Sequence, residues 1–280
     1  MNVKIISAIL VLAFASMACG FSFDFPSQTQ VGPEVEESIT VTDPKTDKTR
    51  LTINFGAGTL KLSPGAKDLV DGTVVYNVAD LKPEVVENGD SIEIKQGNFQ
   101  NLPPFNDMKN DWDLKLGDAP IDLTIQAGAY EGKYEFGGLA LKNLTVQDGA
   151  ADVELSFSKP NQVEMSVLRY ETGASSVTLS GLANANFASL MFSGGAGEYT
   201  LGFDGDLQRD AIVDIEAGFG DVNIIIPESV NAKVTIESAA VDINHNSNWS
   251  KSGNVYTQNG KGPTLTIIVK MAAGSLSLVD

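Results

Sequence analysis

The chain has 280 residues, with 36 acidic against 19 basic side chains and a formal net charge of −17. An acidic balance of this size excludes the basic footprint that nucleic acid requires, argues against direct adhesion to an anionic lipid surface, and fits a soluble, self-repelling surface protein. One Cys and one His rule out an internal disulfide and a Cys/His zinc site, and leave His245 as the sole histidine for any Ser-His-Asp or Cys-His chemistry.

Residues 1–18 form an address. Lys4 is followed by the apolar run Ile5 to Phe14 and then by Ala15-Ser16-Met17-Ala18-Cys19. A charged start, a short apolar core and small residues before a cut are signal-peptide features. The run is too short for a membrane span of ~20 residues. The lone Cys resembles the lipobox of bacterial lipoproteins, with Ala18 before the Cys and Ser16 where Leu is usual. In that reading Cys19 becomes the acylated N-terminus, its thiol carries lipid, and several acyl chains give durable anchoring. The alternative is an ordinary secretory peptide with a Cys at its end. Residues 19–37, with Pro26 and Pro33, read as a tether that lifts the rest off the membrane.

Residues 38–117 read as a β-rich first region. Ser38–Val41, Thr49–Phe55, Thr59–Leu62, Thr73–Asn77, Lys82–Glu87 and Ser91–Gln96 are expected strands. Ser63-Pro64-Gly65, Asp71-Gly72 and Asn88-Gly89 are expected turns, the last a hairpin signal. Phe99 to Asp118, with Pro103-Pro104 and Trp112, reads as an irregular joint.

From residue 118 to 280 a unit recurs: three small residues, then polar and apolar positions alternating. It occurs at Gly149, Gly173, Gly195, Gly218, Ser238 and Ala272, with an early copy at Gly56. A spacing of about 22 residues points to stacked repeats, and the alternation argues for strand over helix. A second strand-like run lies between copies, as in Phe187–Phe192 and Ala211–Ile215. The expected fold is all-β: a β-solenoid-like stack of about 22-residue repeats preceded by a β-rich N-terminal region. Val153/Leu155, Val177/Leu179, Tyr199/Leu201, Val222/Ile224, Val241/Ile243 and Leu276/Leu278 then point inward. One outer column is expected to run Asp152, Ser176, Glu198, Asp221, Ala240, Ser275. The small residues suit tight corners where Gly permits positive φ. A β-sandwich with evenly spaced strands is the alternative.

Between Asn244 and Pro263 the repeat is interrupted by a polar insert. Inserted loops of repeat proteins often lie on the binding face, where Trp249 and Tyr256 could stack on a sugar ring. The favoured alternative is a terminal hairpin that caps the open end. Asp204, Asp206 and Asp210 crowd one turn and are the candidate Ca²⁺ ligands, but the spacing lacks the later Gly and Glu of the calcium-loop motif, so solvated turn acids are favoured and no cofactor is expected. Asp107, Asn110, Asp111 and Asp113 form a second acidic group. Glu198 and Asp221 are the carboxylates a glycoside hydrolase would need, with no aromatic or basic groove beside them. No catalytic residue is assigned.

The stretch Leu51 to Leu62, then Val75-Tyr76-Asn77 and Pro83-Glu84-Val85, resembles the N-terminal part of the bacterial toast-rack domain. The region from about Ile121 onward resembles adhesin-type β-solenoid domains related to the outer end of cell-wall-antibiotic-response membrane proteins. The resemblance implies an exported, rack-like stack of strands and supplies no enzymatic residues. The expected role is a non-catalytic surface scaffold or adhesin-like module on a lipid anchor, with an envelope protein or cell-wall glycan as partner. The alternatives are an extracytoplasmic sensing module of an envelope-stress response and, third, a polysaccharide-active enzyme.

Overall fold

The computed structural model describes residues 31–97, 107–238 and 240–280. The signal segment, Cys19 and most of the proposed tether lie outside them. The strands in chain order are β1 (Val35–Val41), β2 (Arg50–Pro64), β3 (Val70–Tyr76), β4 (Pro83–Asn88), β5 (Ser91–Gln96), β6 (Asn110–Leu116), β7 (Ile121–Glu135), β8 (Leu141–Ser156), β9 (Met165–Ser180), β10 (Phe187–Gly202), β11 (Ala211–Ile225), β12 (Val230–Ile236), β13 (Val241–His245), β14 (Ser250–Ser252), β15 (Val255–Gln258) and β16 (Lys261–Val279). All belong to one 16-stranded sheet.

Each repeat is one long bent strand. In β10, beyond the buried Phe187 that opens it, the buried large side chains are Leu190 and Phe192 before the small triplet and Tyr199 and Leu201 after it. The inward parity therefore changes from even to odd across Gly195-Ala196-Gly197. A strand keeps one face only while its period of two is unbroken. The odd residue inserted at the triplet turns the chain while keeping both legs facing one core. Bend stacks on bend: β10 pairs parallel with β11 from Ser189↔Ile212 to Gly194↔Ala217 and again from Ala196↔Phe219 to Gly202↔Ile225. The same in-register parallel pairing joins β2 to β7, β7 to β8, β8 to β9 and β9 to β10. A sandwich of hairpins would pair antiparallel; this is an all-β, solenoid-like stack.

Two constraints hold the triplets to small residues. Successive corners come so close that a Cβ on Gly173 would lie 2.4 Å from the Gly149 carbonyl oxygen, and one on Gly218 2.3 Å from that of Gly195. Positive φ is the second, at Gly220 (132°) and Gly274 (134°).

At the N-terminal end β2 carries two separate strands on its free side, β5 along its first leg and β6 along its second. β4 then extends the first leg, and β3 and β1 extend the second, all antiparallel. The expected irregular joint is thus a strand over Asn110–Leu116. Its Trp112 is buried against Phe55 at a centroid distance of 5.3 Å and donates from Nε1 to Asn110 Oδ1 at 2.9 Å. The apolar–polar alternation Trp112, Leu114, Leu116 carries the strand once a partner leg is available. Asp71-Gly72 is likewise no turn. It lies inside β3, where a Cβ on Gly72 would sit 2.3 Å from the Asp113 carbonyl oxygen.

At the C-terminal end the stacking order departs from the chain order. β16 lies between β11 and the pair β12 and β13. The register is Val241↔Gly274, Asp242↔Ser275, Ile243↔Leu276 and His245↔Leu278. The expected inward pair Val241/Ile243 is therefore shifted by two: Ile243 shares the row of Val222, and Val241 falls at the corner. In the outer column, Asp221 is followed by Ser275 and then Asp242, with Ala240 outside it. The shift arises because the chain leaves a slot beside β11, and its last strand fills it.

Candidate interaction surface

The fold creates two outer faces, one per leg, and a ridge of corners between them. On the second leg the register builds a column of Glu131, Asp152, Ser176, Glu198, Asp221, Ser275 and Asp242. Glu198 and Asp221 are neighbours in it, as their spacing predicts. Ser275 donates to Asp221 Oδ1 at 2.5 Å, and Glu131 pairs with Lys133 at 3.1 Å. These side chains lie toward solvent, where water and salt screen such contacts and leave them little net stabilisation.

The first leg is different. Its early outer positions are polar: Thr52, Thr124 and Thr145 share one row. From β9 onward apolar residues enter: Val167, Met191, Ile212 and Ile268 lie on adjacent rungs, and Ile212 is 53% exposed. The ridge changes at the same level. Ala57, Ala129, Ala150, Ala174, Ala196 and Ala273 occupy one corner step, and β11 alone places a large side chain there, Phe219, 64% exposed. An open depression of about 380 Å³ is lined by the preceding Gly218 with Ser193, Glu216, Glu237, Lys270 and Ala272. Lys270 Nζ pairs with Glu216 at 3.3 Å. The depression offers two carboxylates and an ammonium, and the exposed Phe219 follows its lining Gly218 directly in the chain. Nothing in the periodicity singles out Phe219; comparing the copies at that step would have done so.

Inside the stack, the inward position nearest the corner holds Asp148 in β8, where the neighbouring rungs have Ala127 and Thr172. Its carboxylate accepts from the Tyr170 hydroxyl at 2.7 Å, from Tyr130 and Ser175 at 3.4 Å, and from Thr172. Tyr134 donates to the Tyr130 oxygen at 3.0 Å. Burial raises the Asp148 pKa, and the hydroxyl donors offset it in part. Burial, and the Asp148 charge after it, pushes Tyr199 up to about 12, and burial also raises Tyr130, Tyr134 and Tyr170. The Tyr199 ring is wholly buried. The tyrosines retain their protons at neutral pH, and the hydrogen-bonded network stiffens the corner. Sequence reading missed Asp148, although it shares the parity of Leu144 and Val146.

The other predicted site residues serve the fold. Asp204 Oδ1 accepts from the Gly181 amide at 2.8 Å, and Asp210 Oδ1 from the Thr264 amide at 2.7 Å. The Asp206 amide donates to Asn184 Oδ1 at 2.9 Å. Among the described residues no three His, Cys, Asp or Glu side chains are gathered around a common metal position. The three aspartates are thus spread over separate turn contacts and do not converge as calcium ligands. Trp249 and Tyr256 are 4% and 1% exposed. Their rings lie in the core at the end of the stack, closed to a sugar, because the insert folds back as the hairpin β14–β15. His245 sits at the end of β13, its ring 5.3 Å from Tyr256 and Nδ1 2.9 Å from the Asn246 carbonyl oxygen. Among the described residues no helix is long and apolar enough to cross a membrane.

Several solved structures resemble the chain. One is described as a putative cell adhesion protein from Clostridium sporogenes, 22% identical, with a TM-score of 0.49, covering 88% of this chain and 99% of its own. A putative adhesin from Parabacteroides merdae is 10% identical, with a TM-score of 0.40 over 89% and 97%. A putative lipid binding protein from Parabacteroides distasonis is 12% identical, with a TM-score of 0.37 over 89% and 98%. No curated protein matches the chain. The family model for the N-terminal domain of toast_rack, DUF2154, matches residues 30–180, more than half the chain and inclusive of β1 to β9. The chain belongs to the toast-rack family.

Proposed function

We propose that the protein is a non-catalytic, exported binding scaffold of adhesin-like type, held at the membrane by lipid on Cys19 and lifted by residues 19–37. In this reading residues 38–117 form the membrane-proximal region, and 118–280 form the stack that presents the binding surface. The surface is the outer face of the first leg from β9 to β16 with the ridge above it, and cell-wall glycan is its expected ligand. The observation that supports the reading is Phe219: one large, solvent-exposed ring in a corner row otherwise made of alanine, one residue along the chain from Gly218, which lines the depression with Glu216, Glu237 and Lys270. Exposed apolar groups rimmed by polar ones mark interaction sites. An aromatic face with flanking hydrogen-bonding groups suits a pyranose ring, apolar on its faces and polar at its edge.

The test is retention on insoluble cell-wall material. The unaltered chain should be retained and Phe219→Ala should lose at least about tenfold, the size expected of an aromatic contact residue, with its melting temperature unchanged. Equal retention of both chains would overturn the surface assignment. In-cell crosslinking that enriches a single membrane protein, with no wall retention, would favour an envelope-stress sensing module. Mass spectrometry of the mature N-terminus tests the anchor: an acylated Cys19 is expected, and a free N-terminus at another residue would refute it.

A further inference from the structure

Among the described residues the sheet has four terminal edges, and three carry the features that block edge-to-edge pairing. β14 is only three residues long, and its Lys251 ammonium lies 5.0 Å from the Tyr256 ring centroid. β4 begins at Pro83 and carries Glu84 and Glu87; β1 carries Glu36 and Glu37. The fourth is β13, Val241-Asp242-Ile243-Asn244-His245, paired with β16 in an unbroken parallel register and, among the described residues, with no other strand. It has no proline, no lysine and one carboxylate. Val241 and Ile243 are half-buried; Asp242, Asn244 and His245 are exposed. The hairpin β14–β15 extends the first leg beyond β12 and leaves the edge of the second leg bare.

We propose that β13 is a self-recognition edge, where a second copy of this chain adds its own β13 antiparallel about a two-fold axis at Ile243. That register places Val241 opposite His245 of the second copy, Asp242 opposite Asn244, and Ile243 opposite Ile243. Each carboxylate faces an amide. A register centred on Asp242 would set two carboxylates face to face, and one centred on Asn244 would run off the strand. A two-fold axis demands such self-complementarity, and directly opposed residues set the energetics of an antiparallel pair. The two second-leg faces then form one continuous sheet, with the β1 edges at its opposite ends. Two chains anchored through their N-termini on facing surfaces would meet tip to tip. That consequence rests on the exported, adhesin-like reading; the pairing does not.

The experiment is sedimentation equilibrium of the full chain carrying Cys19→Ser, so that no lipid drives association. A monomer–dimer equilibrium is expected, tighter at higher salt because each copy carries a charge of −17. Asn244→Lys should tighten it about fivefold, by setting two Lys opposite two Asp242, and Asn244→Asp should weaken it by about the same factor. Both substitutions lie on an exposed outer position and should leave the melting curve in place. A monomer throughout, a dimer indifferent to both substitutions, or both moving the dissociation constant the same way would overturn the proposal. Wall retention by a chain that stays monomeric would sink the pairing and leave the binding reading intact.

Discussion

At its N-terminal end the stack is closed by two separate strands, β5 and β6, each paired with one leg of β2. At its C-terminal end it is completed by β16, which comes last in the chain and enters between β11 and β12. The first closure is a buried network. Asn110 Nδ2 donates to the Ala57 carbonyl oxygen and to Gln96 Oε1, both at 2.7 Å, and Trp112 packs on Phe55. The second depends on contacts between residues 54 apart in sequence, such as Val222 and Leu276. Until β16 arrives, β11 and β12 have no common partner. The difference teaches that one repeat pattern can be terminated by local strands or by a non-local insertion. Only the insertion leaves an edge, β13, with no proline, no lysine and a single carboxylate.

The comparison can be broken most severely at the slot. Val222→Asp puts a carboxylate between β10 and β16 in the core, and chemical denaturation should show loss of more than about 4 kcal/mol or no folded protein, as for an unpaired buried charge. Asn223→Asp, one residue on and facing outward, is its control and should change stability by less than about 0.5 kcal/mol. Trp112→Ala and Tyr256→Ala test the two closures in parallel. Each should cost about 3–5 kcal/mol by the cavity it leaves. If the C-terminal end opens on its own, Tyr256→Ala should accelerate amide exchange in β12 and β15 while β2 stays protected; uniform exchange would show the ends to be one cooperative unit. Gly274→Ala places a Cβ 1.8 Å from the Gly220 carbonyl oxygen at φ 134°, and should cost about 2–3 kcal/mol by strain at that corner.

The gentlest probe is pH. Asp148 has a raised pKa in the folded chain, with burial the leading cause. Below the ordinary carboxylate range both folded and unfolded chains hold the proton. As pH rises the unfolded chain releases it first, so stability falls until the pH passes the raised value and then levels. Asp148→Asn should remove this slope and melt higher than the parent at neutral pH. A parent whose stability rises with pH through this window would show that the four hydroxyl donors outweigh burial.

Much of the fold was legible before any coordinates. The small triplets, the alternation after them and the hairpin at Asn88-Gly89 follow from period-two sterics and turn chemistry, which are local. Trp112 was misread because the prolines before it suggest a loop, and its strand forms only with β2 beside it. The candidate surface was less legible. Trp249 and Tyr256, aromatic in a polar insert, fit either a binding loop or the favoured terminal cap, and their burial agrees with the cap; Phe219 occupies a triplet described as small, and nothing in the repeat signals that its ring is exposed. Side-chain direction at a corner depends on the bend, which alternation alone does not encode. By itself, then, the sequence determined that this chain stacks bent strands around one core, because apolar spacing and glycine placement act over a few residues. Only the tertiary structure decided which strand lies next to which and what the ends expose, because β16 is placed by pairing with strands far away in the chain.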